Sequence, residues 1–177
     1  MDPETAGGIR LLCLDVDGVL TDGRLVFDNH GNEHKRFNVR DGLGIKLWLD
    51  AGHQAAIISS RSSEAVARRA AELGIVHVHQ GCKDKLVALK SVCEATGCTP
   101  DQAAAVGDDL PDLPVLHSVA LPVAVSDAAA EVREAASLVT ETAGGHGAVR
   151  EVIERILKAQ GCWDGLLARW QTVRQGR

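Results

Sequence analysis

A short apolar run near the start of the chain stops abruptly at two acids. Leu11–Leu14 is followed by Asp15, Val16, Asp17 and Gly18. Such a run, ended by polar residues and a glycine, predicts a buried strand whose carboxyl end carries the acids. Open α/β sheets place their functional sites at that edge. In extended backbone Asp15 and Asp17 point the same way, so they can share a cation or divide nucleophilic attack and proton transfer between them. A strand that runs into an Asp-rich turn explains these two acids alone equally well.

The rest of the chain alternates short apolar runs with segments of helical length. This alternation predicts a Rossmann-like α/β fold, in which a parallel sheet has right-handed crossover helices on both faces. A length of 177 residues fits one domain, residues 1–177. The predicted strands are 9–14, 54–59, 76–79, 103–107, 120–125 and 137–139, and the predicted helices are 41–52, 63–73, 84–95, 112–117, 128–135 and 148–160.

Three segments lie outside this alternation. Residues 24–39 predict a β-hairpin, because 28–32 (DNHGN) are turn formers between two strand-like arms. The hairpin is a small insertion, and no separate cap domain is expected. Residues 1–8 are small and polar, which indicates a frayed leader. In the tail, 161–177, one helical face carries Trp163, Leu166, Leu167 and Trp170, which predicts a docking helix.

Charge and hydropathy narrow the classes of partner. The net charge is -5 and no long basic run occurs, which argues against nucleic acid as the main partner. No apolar run of about 18 residues and no charged-then-apolar leader is visible, so neither a membrane span nor a secretory signal is expected. The expected location is the cytoplasm.

The thiols and histidines do not form a strong metal pattern. The cysteines are odd in number and lack a C-x-x-C pair, so free thiols are expected in place of a disulfide framework or a zinc ribbon. His77 and His79 could bind a metal from one side of a strand, but a structural role is the simpler interpretation. The cysteines are Cys13, Cys82, Cys93, Cys98 and Cys162.

Three later strand ends carry groups that suit phosphoryl transfer. Ser59 can hydrogen-bond a phosphate oxygen and Arg61 can grip an anion with two N–H groups, although a helix cap is an ordinary alternative. Lys85 could hold an attacking carboxylate and a phosphoryl group together, although a lysine in a first helical turn is usually solvated. The string 107–112 (GDDLPD) follows an apolar strand, so its acids can meet the first pair and complete an all-oxygen site for Mg²⁺.

The order DVDG (15–18), Ser59, Lys85 and GDDLPD (107–112) resembles the four motifs of the haloacid dehalogenase (HAD) phosphohydrolases. The resemblance is closer to the HAD phosphatases for phosphorylated sugar acids, namely 3-deoxy-D-manno-octulosonate 8-phosphate (Kdo-8-phosphate) and the nonulosonate 9-phosphates of sialic-acid pathways. It extends to 37–45 (FNVRDGLGI) and 144–151 (GGHGAVRE) and so spans nearly the whole chain.

The resemblance implies a role for each matching residue. Asp15 is the nucleophile and a metal ligand, Asp17 is the acid/base and gives its backbone carbonyl to Mg²⁺, and Asp108 is the remaining protein ligand. Ser59 and Lys85 bind the phosphoryl group. Lys46 and His146 stand where the octulosonate enzymes usually have Arg, which bears on carboxylate recognition. The implied substrate-binding residues are Asp17, Asn38, Arg40, Asp41, Gly42, Lys46, Arg61, Arg69 and Lys85.

The reaction implied is phosphomonoester hydrolysis with Mg²⁺ through an aspartyl-phosphate intermediate. The resemblance also implies a homotetramer in which neighbouring subunits close an otherwise open site. Two alternatives remain at this stage. One is a nonulosonate (sialic acid or KDN) 9-phosphate phosphatase. The other is a non-catalytic HAD-like assembly domain associated with a sugar nucleotidyltransferase, against which the intact set of acids argues.

Overall fold

A computed structural model describes residues 2–171, and Met1 and residues 172–177 lie outside it. Its centre is a six-stranded parallel sheet, as the alternation predicted. The strand order is β5-β4-β1-β6-β7-β8, and β2 pairs with β3 in a separate antiparallel hairpin. The strands are β1 (Leu11–Leu14), β2 (Val26–Phe27), β3 (Glu33–His34), β4 (Gln54–Ile58), β5 (His77–His79), β6 (Ala103–Gly107), β7 (Leu121–Ala124) and β8 (Leu138–Val139).

The helices form two groups around the sheet. In one group α2 packs against α7, which also contacts α1 and α8, and in the other α5 packs against α4 and α6. None of the helices in the described residues is long and apolar enough to cross a membrane. The helices are α1 (Pro3–Gly8), α2 (Val39–Asp50), α3 (Glu64–Leu73), α4 (Lys85–Thr96), α5 (Leu113–Leu116), α6 (Ala130–Ala135), α7 (Ala148–Ala159) and α8 (Trp163–Gln171).

The register of the central strands places the site. Strand β1 pairs with β4 on one side and β6 on the other, with Leu14 opposite both Ile57 and Val106. All four residues of β1 are buried, which suits its continuous apolar sequence. Because the three strands are parallel and in register, the residues that follow them meet at one edge of the sheet.

The prediction of a frayed leader was wrong. Residues Pro3–Gly8 form α1, which begins where the Asp2 side chain accepts a hydrogen bond from the Thr5 amide at 2.9 Å. The side-chain amide of Gln160, at the end of α7, donates to the carbonyl oxygens of Ala6 and Ile9 at 3.0 and 2.9 Å. These two hydrogen bonds hold the N-terminal segment against the end of α7, and local composition does not reveal them.

Two helix starts also differ from the prediction. Asn38, not Asp41, caps α2 by accepting a hydrogen bond from the Arg40 amide at 2.8 Å. Asp41 lies in the first turn, buried. The predicted helix 112–117 is a 3₁₀ turn at Leu110–Asp112 followed by the short α5. Pro111 and Pro114 lie in the first turns of these two pieces, because proline suits a first turn and interrupts a longer helix.

The described part of the tail is helical and packed. In α8, Trp163 and Leu166 are buried, and the Arg150 guanidinium of α7 lies over the Trp163 ring, 5.2 Å from its centroid. This contact combines apolar burial with a cation–π attraction. Residues 172–177 of the predicted docking segment lie outside the described residues.

Candidate active site

The carboxyl edge of the sheet opens into a cleft of about 290 Å³. Strand β1 supplies Asp15, β4 leads into Ser59, and β6 leads into Asp108. The structure thus brings together the residues that the sequence predicted for catalysis. The cleft is lined by Asp15, Asp17, Gly23, Ser59, Ser60, Arg61, Lys85, Asp108, Asp109, Pro111 and Asp112.

Lys85 bridges two carboxylates at the base of the cleft. Its ammonium donates to Asp15 Oδ1 at 2.7 Å and to Asp112 Oδ1 at 2.6 Å. Burial lowers the pKa of Lys85, but the two carboxylates outweigh that effect, so its pKa is raised. Helix α4 positions the side chain, since Lys85 is its first residue and Asp84 caps it by accepting from the Leu86 amide at 2.9 Å. Lys85 is therefore a buried, charged group and not a solvated one.

Asp112 also lies at this site, although the sequence analysis gave it no role of its own beyond its place in GDDLPD. Its second carboxylate oxygen accepts hydrogen bonds from the Asp108 amide at 3.0 Å and, more weakly, from the Asp109 amide at 3.4 Å. The 3₁₀ turn at Leu110–Asp112 returns this side chain to the strand end. The sequence feature that could have identified Asp112 is its place in GDDLPD, where it is the third acid and follows Asp108 by about one short helical turn.

The acids suit a divalent cation. Oxygens of Asp15, Asp108 and Asp112 all lie within 4.8 Å of one another, and this is the cluster of metal-ligating type found among the described residues. Burial, together with Asp15 and Asp112, raises the pKa of Asp108 to about 8. Burial likewise raises the pKa of Asp15, and Asp112 adds to the effect while Lys85 opposes it. One ammonium does not balance three carboxylates, and a hard cation with oxygen ligands such as Mg²⁺ would.

This carboxylate cluster contains two of the three predicted metal ligands, Asp15 and Asp108, and it adds the carboxylate of Asp112. The predicted contribution of Asp17 is its backbone carbonyl, and that role stays a prediction. Gly18 permits the approach of Asp108, because an added Cβ would lie 2.0 Å from Asp108 Oδ2 and the backbone φ there is +95°.

The Asp17 side chain faces the hairpin. Lys35, just after β3, donates to Asp17 Oδ1, and Arg61 Nε lies 3.6 Å from Asp17 Oδ2. Glu33 contacts both cations through one oxygen. Burial raises the pKa of Glu33, but Lys35 and Arg61 outweigh it, so the pKa lies below its ordinary value. Neither Lys35 nor Glu33 could be identified from the sequence, since no local pattern shows which side of a hairpin turns inward.

Ser59 lies beside these charged groups. It is buried directly after β4, and its hydroxyl accepts a hydrogen bond from the Arg61 amide at 3.3 Å. This contact lies in the turn before α3 and is not a helix cap, because α3 begins after Ser63. The hydroxyl also borders the cleft, so its proton is available to an oxygen acceptor there.

The other predicted substrate-binding residues do not line this cleft of their own subunit. Asn38, Asp41, Gly42 and Arg69 border a small cavity between α2 and α3, and Arg69 pairs with Glu72 Oε2 at 2.8 Å. Lys46 is exposed on α2. Arg40 borders a separate cavity of about 300 Å³ that also contains His146. Their assignment to the substrate stays a prediction.

Asp41 has a defined structural partner. One oxygen accepts from the Arg150 amide at 2.8 Å, in the first turn of α7, and the other, Oδ2, is buried without a hydrogen-bond partner. Burial raises the pKa of Asp41, against the lowering effect of the α7 amides. The carboxylate therefore joins α2 to the N-terminus of α7, a favourable place for a negative charge.

A glycine loop before α7 supports the segment that follows the first strand. The Gly145 amide donates to the Val19 carbonyl at 2.9 Å, and the Asn38 side chain donates to the Gly145 carbonyl at 3.3 Å. An added Cβ on Gly144 would lie 1.6 Å from the Gly18 carbonyl oxygen. Only glycine fits so close to another backbone, so this loop shapes the turn after Asp15 and Asp17.

A parallel α/β sheet with acids and a buried lysine at its carboxyl edge defines an aspartate-based phosphohydrolase site. The family model for haloacid dehalogenase-like hydrolases matches residues 74–153. The chain is also 50% identical over 159 residues to the 3-deoxy-D-manno-octulosonate 8-phosphate phosphatase KdsC of Salmonella typhi, covering 90% of this chain and 85% of that protein.

Solved structures agree with this similarity. The Moraxella catarrhalis 3-deoxy-D-manno-octulosonate 8-phosphate phosphatase, in complex with magnesium, phosphate and KDO, superposes with a TM-score of 0.92 at 42% identity, covering 95% of this chain and 97% of that one. The cobalt-bound Haemophilus influenzae enzyme gives 0.87 at 43% identity, covering 90% and 93%. The chain belongs to the haloacid dehalogenase-like hydrolases and, within them, to the family of 3-deoxy-D-manno-octulosonate 8-phosphate phosphatases.

Proposed function

We propose that this protein is a Mg²⁺-dependent phosphatase that hydrolyses a phosphorylated sugar acid, Kdo-8-phosphate, through an aspartyl-phosphate intermediate. The observation that carries the proposal is the buried Asp15–Lys85–Asp112 bridge with Asp108 beside it. This arrangement holds a carboxylate nucleophile next to a fixed positive charge. The similarity to Kdo-8-phosphate phosphatases supports the choice of substrate.

The chain's own residues divide the reaction into two steps. Asp15 attacks phosphorus and forms the acyl phosphate, while Asp17 protonates the departing sugar oxygen. Asp17 then takes a proton from water, which attacks phosphorus and releases inorganic phosphate and free Asp15. A carboxylate nucleophile thereby replaces one difficult displacement by two easier ones. Lys85 and Ser59 hold the phosphoryl oxygens at the end of β4 and the start of α4.

Asp15 and Asp108 would hold Mg²⁺, and the carboxylate of Asp112 lies beside them. The bound cation supplies charge neutralisation that lets an anionic carboxylate approach an anionic phosphate. Arg61, whose side chain is 44% exposed at the cleft, is available for the sugar acid's carboxylate.

A substrate screen tests the proposal. Purified protein is assayed with Kdo-8-phosphate, a nonulosonate 9-phosphate and simple sugar phosphates, each with Mg²⁺ and with EDTA. We expect the highest kcat/KM for Kdo-8-phosphate and no turnover in EDTA. A preference for the nonulosonate phosphate would show that the protein is a nonulosonate 9-phosphate phosphatase. Such a preference would agree with Lys46, which stands where the octulosonate enzymes usually have Arg. Absence of any phosphatase activity with Mg²⁺ would support an assembly role instead.

Replacement of Asp108 by Ala is expected to weaken Mg²⁺ binding. Mg²⁺ uses few protein carboxylates and keeps several waters, so the loss of one carboxylate matters. We expect the Mg²⁺ concentration for half-maximal activity to rise at least about 10- to 100-fold, because loss of a residue that merely supports a metal ligand already has an effect of that size. Isothermal titration with Mg²⁺ provides the measurement. Asp101→Asn, an exposed acid before β6, is the matched control, and an unchanged titration for Asp108→Ala would remove this acid from the site.

The proposal includes a cytoplasmic homotetramer. Leu25, Val26 and Phe27 of the hairpin are about half exposed, at 51%, 46% and 57%. Such a contiguous apolar edge is usually covered by a partner. We expect a tetramer by light scattering, and we expect the double variant Leu25→Ser, Phe27→Ser to shift it toward smaller species and raise KM. A monomeric wild-type protein with full activity would contradict this expectation.

A further inference from the structure

The hairpin brings one buried lysine to the proposed acid/base. The side chain of Lys35 is only 3% exposed, although the apolar residues of the same hairpin face outward. Its ammonium donates to Asp17 Oδ1. A lysine buried to this extent needs charged partners, because the loss of hydration is otherwise costly. The contact is therefore a specific one and not a surface ion pair.

Each oxygen of the Asp17 carboxylate contacts a different cation. Lys35 contacts Oδ1, and Arg61 Nε lies 3.6 Å from Oδ2. Glu33 completes a ring of alternating charges, with one oxygen 3.6 Å from Lys35 Nζ and in contact with Arg61 Nη2. A carboxylate held at both oxygens has a fixed plane, which a carboxylate with one partner lacks.

The two cations of this ring are not equivalent. Arg61 is 44% exposed at the cleft and is the residue proposed to meet the substrate's carboxylate, so it has a second partner to accept. Lys35 is enclosed by Asp17 and Glu33 and has no comparable access to the cleft. We therefore expect Lys35, and not Arg61, to stay with Asp17 when substrate is bound.

We propose that Lys35 is a positioning residue, which holds the Asp17 carboxylate toward the leaving-group oxygen and makes proton transfer depend on the docked hairpin. This inference rests on the proposed function, because it assumes that Asp17 is the acid/base. Glu33 contributes by aligning Lys35. The hairpin is then part of the catalytic apparatus of its own subunit, in addition to any contact with neighbours.

A leaving-group comparison tests the inference. Phenyl phosphate releases a phenol with a pKa near that of tyrosine, about 10, and needs protonation, whereas 4-nitrophenyl phosphate releases a much more acidic phenol. The measured quantity is kcat/KM at saturating Mg²⁺, since it reports the step in which the leaving group departs. For Lys35→Met we expect a loss of about 10- to 100-fold with phenyl phosphate, part of the 10²–10⁴ that acid/base catalysis contributes. With 4-nitrophenyl phosphate we expect a loss of less than threefold.

Two further variants serve as comparisons for Lys35→Met. Lys35→Arg keeps a cation and is expected to recover most of the phenyl phosphate activity. Arg36→Met is the matched control, since Arg36 is the next residue, is exposed, and is expected to behave as wild type with both substrates. Equal losses for the two substrates in Lys35→Met, or no loss, would overturn the inference, because a merely structural role does not distinguish leaving groups.

Glu33→Gln is a further variant, for use if circular dichroism shows that Lys35→Met does not fold. Glu33→Gln leaves Lys35 and Asp17 in place but weakens their alignment, and it should show a smaller loss that is again confined to phenyl phosphate. Equal losses with both substrates would then decide against the inference. The aryl phosphates contain no sugar acid, so this test is separate from the substrate screen. Failure to hydrolyse Kdo-8-phosphate would refute the proposed substrate alone.

Discussion

Asp15→Asn is expected to reduce turnover of any phosphomonoester by at least about 10⁴-fold while the fold is retained. The amide is nearly isosteric with the carboxylate, but it lacks the charge needed for attack on phosphorus and for metal binding. Asp15 also accepts from Lys85, and an amide oxygen can keep that hydrogen bond. The loss should therefore be chemical and not structural.

The measurement for Asp15→Asn is single-turnover release of phosphate, with circular dichroism to check the fold. Wild-type enzyme that is rapidly quenched during turnover should carry acid-stable, hydroxylamine-sensitive phosphate, and the variant should carry none. Asp101→Asn, at the opposite end of β6, is the matched control and should keep full activity. Substantial Mg²⁺-dependent turnover in Asp15→Asn would show that another group is the nucleophile.

Lys85→Met is expected to damage both activity and stability. The variant leaves the buried carboxylates of Asp15 and Asp112 without their shared cation, and breaking a buried ion pair by removing one partner costs about 3–5 kcal/mol. Activity should fall by about 10²–10³-fold, the scale of losing one preorganised electrostatic contact in a water-excluded site.

Urea unfolding in EDTA measures the stability loss, and kcat measures the catalytic one. Added Mg²⁺ should restore part of the stability of Lys85→Met, because the cation can balance the same carboxylates. Lys90→Met is the matched control, since Lys90 is exposed on the same helix and should leave both quantities unchanged. A variant as stable as wild type in EDTA would mean that the carboxylates do not depend on Lys85.

The sheet and its catalytic edge were predictable because they depend on local patterns. Buried parallel strands appear in a sequence as short apolar runs, and β1, β4 and β6 are each followed directly by a polar residue. Once the strands are parallel, their ends must meet. Asp15, Ser59 and Asp108 could therefore be placed together from the sequence.

The parts that were missed depend on contacts between distant segments. Asp112 binds Lys85 from another element, and Lys35 reaches Asp17 across the hairpin. The N-terminal helix is held by Gln160, near the other end of the chain. Residue type gives no indication of such partners, since a lysine or a glutamine reads as solvated until its surroundings are known.

The glycine loop of Gly144 and Gly145 has a consequence for synthesis of the protein. The nucleophile emerges early from the ribosome, whereas the loop that shapes the turn after it emerges near the end. Domains generally fold as units as synthesis proceeds, and contacts of high sequence separation form late. A nascent or prematurely terminated chain that stops before Gly144 carries every predicted catalytic side chain but lacks the support for their loop. We therefore expect incomplete copies of this phosphatase to be inactive, so that activity would mark a chain completed at least through the glycine loop.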